Sequence, residues 1–128
     1  GGTVYVEIKG EDIEPFVAQV VQNTRVRCAV HSFDHAAIER FRRLAPNVPR
    51  GILLERVDDD VVGAMSRTGA RDVWPEWTLI DRALVERVHV AGGRVIAWTV
   101  NDVSSAAALA KLGVDGICTD DVRLLDEL

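Results

Sequence analysis

Val4-Tyr5-Val6-Glu7-Ile8-Lys9 is the stretch on which the reading of the fold turns. On a strand, side chains alternate faces, so Tyr5, Glu7 and Lys9 share one side while Val4, Val6 and Ile8 share the other. A carboxylate and an ammonium together where a strand ends suggest a site. The plain alternative is a solvated pair on an edge strand.

Outward from that run, strand-like segments rich in Val, Ile and Leu begin near Val4, Val26, Gly51, Arg71, Arg94 and Asp115, with 20 to 25 residues between successive starts. Amphipathic segments of helical period lie between them. Pro15 suits the first turn of a helix with Phe16, Val17, Val20 and Val21 inward. Asp34 can cap a second helix, with Ala37, Ile38, Phe41 and Leu44 on one face before Pro46. Asp58, Asp59 and Asp60 read as favourable charge at the positive end of a helix dipole, ahead of a metal reading. Thr78 and Asp81 have capping-box spacing, followed by Ile80, Leu84, Val88 and Ala91, with Gly92 as a left-handed cap. Asn101 or Asp102 caps the next helix, which faces Ala106, Leu109, Ala110 and Leu112 inward before Gly113, and a short helix follows over 122–128. The strands are nearly continuous apolar runs, as when both faces of a parallel sheet are covered. Repeated βα units give an open doubly wound sheet or an arc of a barrel. A leucine-rich solenoid is excluded by its missing signature.

The chain has 128 residues, 48% hydrophobic and 27% charged, which suits one globular domain over 1–128. No window approaches the ~18 apolar residues of a membrane span. A net charge of −5 argues against a nucleic-acid partner. Arg40, Arg42 and Arg43 read as a solvated helix face. Cys28 and Cys118 fall in expected strands among apolar residues, so both read as buried free thiols, which fits a reducing compartment such as the cytoplasm.

Glu7-Ile8-Lys9, Ser32-Phe33-Asp34-His35, Trp98-Thr99-Val100-Asn101 and Gly113-Val114-Asp115-Gly116-Ile117-Cys118-Thr119-Asp120 stand in an order that resembles the glycerophosphodiester phosphodiesterase family. The resemblance runs over nearly the whole chain. It implies an α/β fold, a partial TIM-type barrel of about six βα units with parallel strands, carrying strands three to eight of the family's eight. It further implies hydrolysis of a glycerophosphodiester to an alcohol and glycerol 3-phosphate, with calcium or magnesium held by three carboxylates. By the same resemblance Glu7 matches the third metal carboxylate, Lys9 the phosphate-binding lysine, and Trp98 the aromatic lining the glycerol side.

The family's His-Arg-Gly segment, its Glu-x-Asp pair and its second catalytic histidine have no counterpart here. One carboxylate rarely holds a cation that wants about six or more oxygen ligands, so the chain is expected to be inactive alone and to bind no metal on its own. No catalytic residue is assigned. His35 is expected in a solvated first turn, and His89 near a helix end in packing or a backbone bond. His31 closes a strand opposite in facing to Ser32, and reads as a core or rim histidine before a catalytic one. Asp121 and Val122 follow Asp120 where the family tends to a proline. Trp74 stands where it often carries a polar residue, and Trp74 and Trp77 read as packing or interface residues. The alternative is a non-catalytic barrel fragment that keeps a pocket for a phosphate or phosphodiester anion at Lys9. Six strands also leave two edges, so association of identical chains through them is expected.

Overall fold

The computed structural model describes residues 1–56 and 60–128; Asp58 and Asp59, expected to open a helix, lie outside the described residues. Strand and helix alternate as β1 (Val4–Glu7), α1 (Glu14–Gln22), β2 (Cys28–Ser32), α2 (His35–Leu44), β3 (Arg50–Leu54), α3 (Val61–Thr68), β4 (Asp72–Pro75), α4 (Arg82–Val90), β5 (Arg94–Ala97), α5 (Val103–Leu112) and β6 (Gly116–Ile117). Short 3-10 turns cover Trp77–Leu79 and Val122–Glu127. The six strands pair in chain order and every pairing is parallel. The second strand begins later than expected, because Val26 sits in a turn whose N–H is taken by the Thr24 hydroxyl at 3.2 Å.

The sheet curls strongly. Tyr5 on β1 meets Trp74 on β4 edge to face at 5.2 Å, and Arg94 on β5 reaches the Tyr5 hydroxyl at 3.4 Å. Contacts across three or four strands require a concave face, and helices cover the convex one. The result is a half-barrel, an α/β partial TIM-type barrel.

Alternation sorts the strand residues as the sequence implied. Ile8, Val30, Ile52, Leu54, Val73, Val95 and Ala97 are buried with apolar helix residues on the convex side. Two apolar clusters result, one on β1–β2 with α1 and α2, the other on β3–β5 with α3, α4 and α5. Full burial of a residue such as Phe41 or Ile38 is worth about 2–3 kcal/mol. Between these layers stands Arg50, a buried cation paired with no carboxylate among the described residues. Its guanidinium donates to the carbonyls of Ala45, Pro46 and Val48 after α2 and of Thr68 and Gly69 at the end of α3, at 2.9 to 3.4 Å. These are helix-end carbonyls that otherwise lack partners. Gly69 has φ 63°, and a Cβ there would come within 2.9 Å of both Arg42 and Arg50.

Asp34, Asp81 and Asp102 cap α2, α4 and α5 by accepting from Ala37, Leu84 and Ser105 N–H groups. Asp81 is therefore the cap of α4, and Thr78 belongs to the preceding turn, which Glu76 caps. Asp60 stands at the N-terminus of α3 and its carboxylate pairs with Arg67 at 3.2 Å. Gly92 takes the expected left-handed conformation, and Gly113 takes it as well.

Several inward assignments fail for one reason: a helix on a curved sheet buries only the stripe facing the strands. In α1 that stripe is Glu14, Ala18 and Val21, so Phe16 is 69% and Val20 52% exposed. Leu44, Ala91 and Ala110 likewise end up exposed. The arginines of α2 are not simply solvated: Arg40 donates to the buried Glu14 carboxylate at 2.6 and 3.0 Å, and Arg42 takes the Ser66 and Arg67 carbonyls. Cys28 is half-buried and Cys118 exposed, both as free thiols; Cys118 follows β6 and so escapes the burial expected within a strand.

Candidate functional site at the C-terminal mouth

Glu7 and Lys9 leave the C-terminal end of β1 on the concave side, as alternation requires, and their side chains pair at 3.1 Å. Lys9 is 80% exposed along its side chain. Glu7 lies in register with His31, and the Ile8 N–H donates to the His31 carbonyl at 2.8 Å. Carrying that register two residues on sets Lys9 level with Phe33. Ser32 locks this corner from the convex side. Its hydroxyl donates to the Ile8 carbonyl at 2.7 Å and accepts from the Asp34 N–H at 3.0 Å.

Phe33 stays 40% exposed at the mouth and meets Trp98 edge to face at 5.5 Å. Trp98 is fixed independently, since its indole N–H donates to the Trp74 carbonyl at 2.8 Å and its own carbonyl accepts from the Trp77 N–H at 2.8 Å. Glu7 and Lys9 are thus brought together directly, while Trp98 meets Phe33, the residue that follows β2.

One layer deeper, His31 lies 4.5 Å from Trp74 between ring centroids and stacks on Tyr5 at 6.2 Å. It is a core histidine. Burial holds its imidazole below the ordinary pKa against the opposing pull of Glu7 and Asp72. His31 Nδ1 and Trp74 Nε1 are buried without hydrogen-bond partners. His35 is not solvated: its Nε2 meets the Leu53 carbonyl at 2.9 Å. His89 meets a side chain, the Asp115 carboxylate, at 2.8 Å. Trp77 packs against the larger apolar cluster, and Trp74 is buried, both as expected.

Two of the motifs turn out to be one clamp. Asn101 accepts from the Thr119 hydroxyl at 3.1 Å and the Asp120 N–H at 3.0 Å, and its amide donates to the Asp120 carboxylate at 3.0 Å. It thereby joins the loops after β5 and β6. Nothing in the spacing of Asn101 and Asp120 announces this; the signal was only that both follow strand ends.

At the floor, Asp72 is 1% exposed and accepts from Arg94 at 2.7 Å and from Arg71 at 2.9 Å. Burial pushes its carboxyl up, but the two guanidinium groups more than reverse that and hold it below the usual range. An apolar cleft of about 480 Å³ lies on the outer surface between α3 and α4, far from the charged mouth, lined by Val62, Val90 and Glu86 among others. Charge, aromatic surface and unpaired nitrogens all gather instead on the concave face, so the mouth is the candidate site.

A half-barrel with an ion pair and aromatic groups at the C-terminal ends of its strands belongs to the class of barrel proteins whose chemistry is built there. The chain matches the profile of the Glycerophosphoryl diester phosphodiesterase family over residues 7–124, and it belongs to that family. It is 30% identical to the Bacillus subtilis (strain 168) protein YhdW, which carries a glycerophosphodiester phosphodiesterase name, over 90% of this chain and 51% of that one. Among solved structures, a Silicibacter pomeroyi protein named for glycerophosphoryl diester phosphodiesterase activity superposes with a TM-score of 0.81 at 26% identity, covering 96% of this chain and 50% of the other. An Oleispira antarctica phosphodiesterase, solved with its product sn-glycerol-3-phosphate, superposes with a TM-score of 0.79 at 22% identity, covering 89% and 49%. The latter likeness carries the fold. The chain spans about half the length of these relatives. Among the described residues no helix is long and apolar enough to cross a membrane.

Proposed function

We propose that residues 1–128 act as one partial-barrel domain holding the phosphate-binding corner of a glycerophosphodiester phosphodiesterase site. The observation that carries this reading is the Glu7–Lys9 pair at the C-terminal mouth of the concave face. Lys9 supplies a mobile ammonium for phosphate oxygens, and Trp98 offers an apolar face for glycerol carbons. A bound anion competes with Glu7 for Lys9.

The family is metal-dependent in general, and Glu7 is the residue here that would ligate calcium or magnesium. The residues present do not fit such an ion by themselves. Glu7 is already engaged by Lys9, and among the described residues no group of three or more His, Cys, Asp or Glu side chains is placed to hold a metal. No step is therefore assigned through a metal. The histidines are also committed elsewhere, His35 to Leu53, His89 to Asp115 and His31 to the aromatic layer. With no group poised to protonate a leaving alkoxide, the isolated chain is expected to bind anion and to turn over little or no glycerophosphodiester.

Two measurements test this. Calorimetric titration with inorganic phosphate and with sn-glycerol 3-phosphate is expected to show binding that Lys9→Met abolishes; equal binding by both chains sinks the assignment. A hydrolysis assay with added calcium or magnesium is expected to give no turnover above background. Turnover lost in Glu7→Gln would overturn the inactive reading.

We further propose that β1 pairs with a second copy. The N–H groups of Val4 and Ile8 point to β2, donating to the Arg27 and His31 carbonyls, so the backbone groups of Tyr5 and Glu7 face the free edge. Val4, Phe16 and Val20 add exposed apolar surface beside it. Sedimentation showing a monomer at high concentration would refute this pairing.

A further inference from the structure

The geometry points to a second anion site, built by the arginines where α2 and α3 end and independent of Lys9. It takes a soluble oxyanion with two separated charged groups, such as an inorganic polyphosphate. The two helix ends stand beside the starts of β3 and β4, at the opposite end of the strands from the mouth. There Arg42, Arg43 and Arg67 line an open pocket of about 410 Å³. The chain carries a net charge of −5, so this cationic patch runs against its overall charge.

The negative end of α3 does not absorb these charges. Arg42 Nη1 donates to the Ser66 and Arg67 carbonyls at 3.0 and 3.2 Å, and Arg50 takes those of Thr68 and Gly69 at 2.9 and 3.3 Å. Two guanidinium groups thus use four successive carbonyls at that helix end. They also crowd each other, since a Cβ on Gly69 would lie 2.9 Å from both Arg42 Nε and Arg50 Nη2. Burial first, and the Arg42 charge second, hold the Arg50 guanidinium below its ordinary pKa. Relief from carboxylates is thin. Among the described residues the Arg42 guanidinium is bonded through Nη1 alone. Arg43 reaches Glu39 only at 4.0 Å, with 75% of its side chain in solvent, and Arg67 pairs with Asp60 at 3.2 Å. Arg42 and Arg43 therefore bring largely unneutralised charge to one pocket. Adjacent helix positions point about 100° apart, so the two groups approach it from different directions. A ligand that meets both must carry charge in two places, and the planar fork of each arginine suits phosphoryl oxygens there.

The test silences the mouth first. Dissociation constants for inorganic pyrophosphate and inorganic phosphate are measured by calorimetry in metal-free buffer on the Lys9→Met chain. Pyrophosphate is expected to bind, and phosphate at least about tenfold more weakly. Adding Arg43→Gln should weaken pyrophosphate binding about fivefold to tenfold at an unchanged melting midpoint, because that side chain is mostly solvated. Arg42→Gln should weaken it at least as much, with a lower midpoint, since Arg42 also ties down the end of α3. Arg123→Gln removes an equally exposed arginine near the end of the chain and should leave the affinity within about twofold. Failure of pyrophosphate to bind the Lys9→Met chain overturns the site. Undiminished binding in Arg43→Gln overturns it as well. A loss in Arg123→Gln equal to that in Arg43→Gln marks diffuse charge attraction and overturns it too. Phosphate binding as tight as pyrophosphate binding overturns the requirement for two charged groups.

Discussion

At the N-terminal ends of the strands, Asp72 is enclosed between two guanidinium groups, whereas at the C-terminal ends Glu7 meets Lys9 in the open. Both are acid–base pairings on the same concave face. Their difference lies in solvent access and in the number of partners. Asp72 has no exit to water, so its charge is held by fixed donors and the arrangement resists change. Lys9 keeps a long mobile stem in solvent, and exchanging its partner costs little. The floor is therefore held fixed, while the mouth keeps a solvated, exchangeable pairing.

Removing the floor should have the largest effect. Asp72→Ala leaves Arg71 and Arg94 facing each other and is expected to cost about 3 kcal/mol in urea unfolding. The pH dependence has a definite sign. A carboxyl held below its unfolded value contributes stability that is fully present above about pH 4 and is lost as pH falls through the folded pKa. Asp72→Ala should thus flatten the acid limb of the stability curve. A variant as acid-sensitive as the wild type would show that the floor pairing is not what holds the sheet.

Gly51→Ala tests the layer between floor and mouth. A Cβ there would approach Trp74 Nε1 to 2.9 Å and the Asp72 carbonyl to 3.2 Å. The expected loss is about 1–3 kcal/mol with an altered near-ultraviolet tryptophan signal. An unperturbed spectrum would mean that Trp74 does not lie over this glycine in solution.

The smallest effect on stability is expected at the mouth. Glu7→Gln should change unfolding free energy by less than about 0.5 kcal/mol, because Lys9 is mostly solvated. In metal-free buffer it should also tighten phosphate binding about twofold to threefold by releasing Lys9 from its competitor. Weaker phosphate binding in this variant would show that Glu7 assists the anion rather than competes with it.

The legible parts of the fold were those governed by local rules. The caps at Asp34 and Asp102 and the glycines at 92 and 113 follow from short-range backbone chemistry, and alternation correctly put Tyr5 and Glu7 on one face and His31 opposite Ser32. The unread parts depend on how far the sheet curls. Tyr5, His31 and Trp74 come from three different strands, and no spacing reveals that their rings will meet. Phe16 and Val20 misled because an apolar residue at helical spacing does not say which neighbour will cover it. Arg50 was silent for a different reason. A buried arginine that serves carbonyls rather than a carboxylate has no partner residue to betray it in the sequence.

That arginine has a consequence for how the molecule comes apart. One side chain closes the tails of α2 and α3 together, so neither helix can fray without stranding a positive charge among the other's oxygens. Amide exchange in the last turns of both helices should therefore speed up in concert when Arg50 is shortened. The two apolar clusters on either side of it are accordingly expected to unfold together.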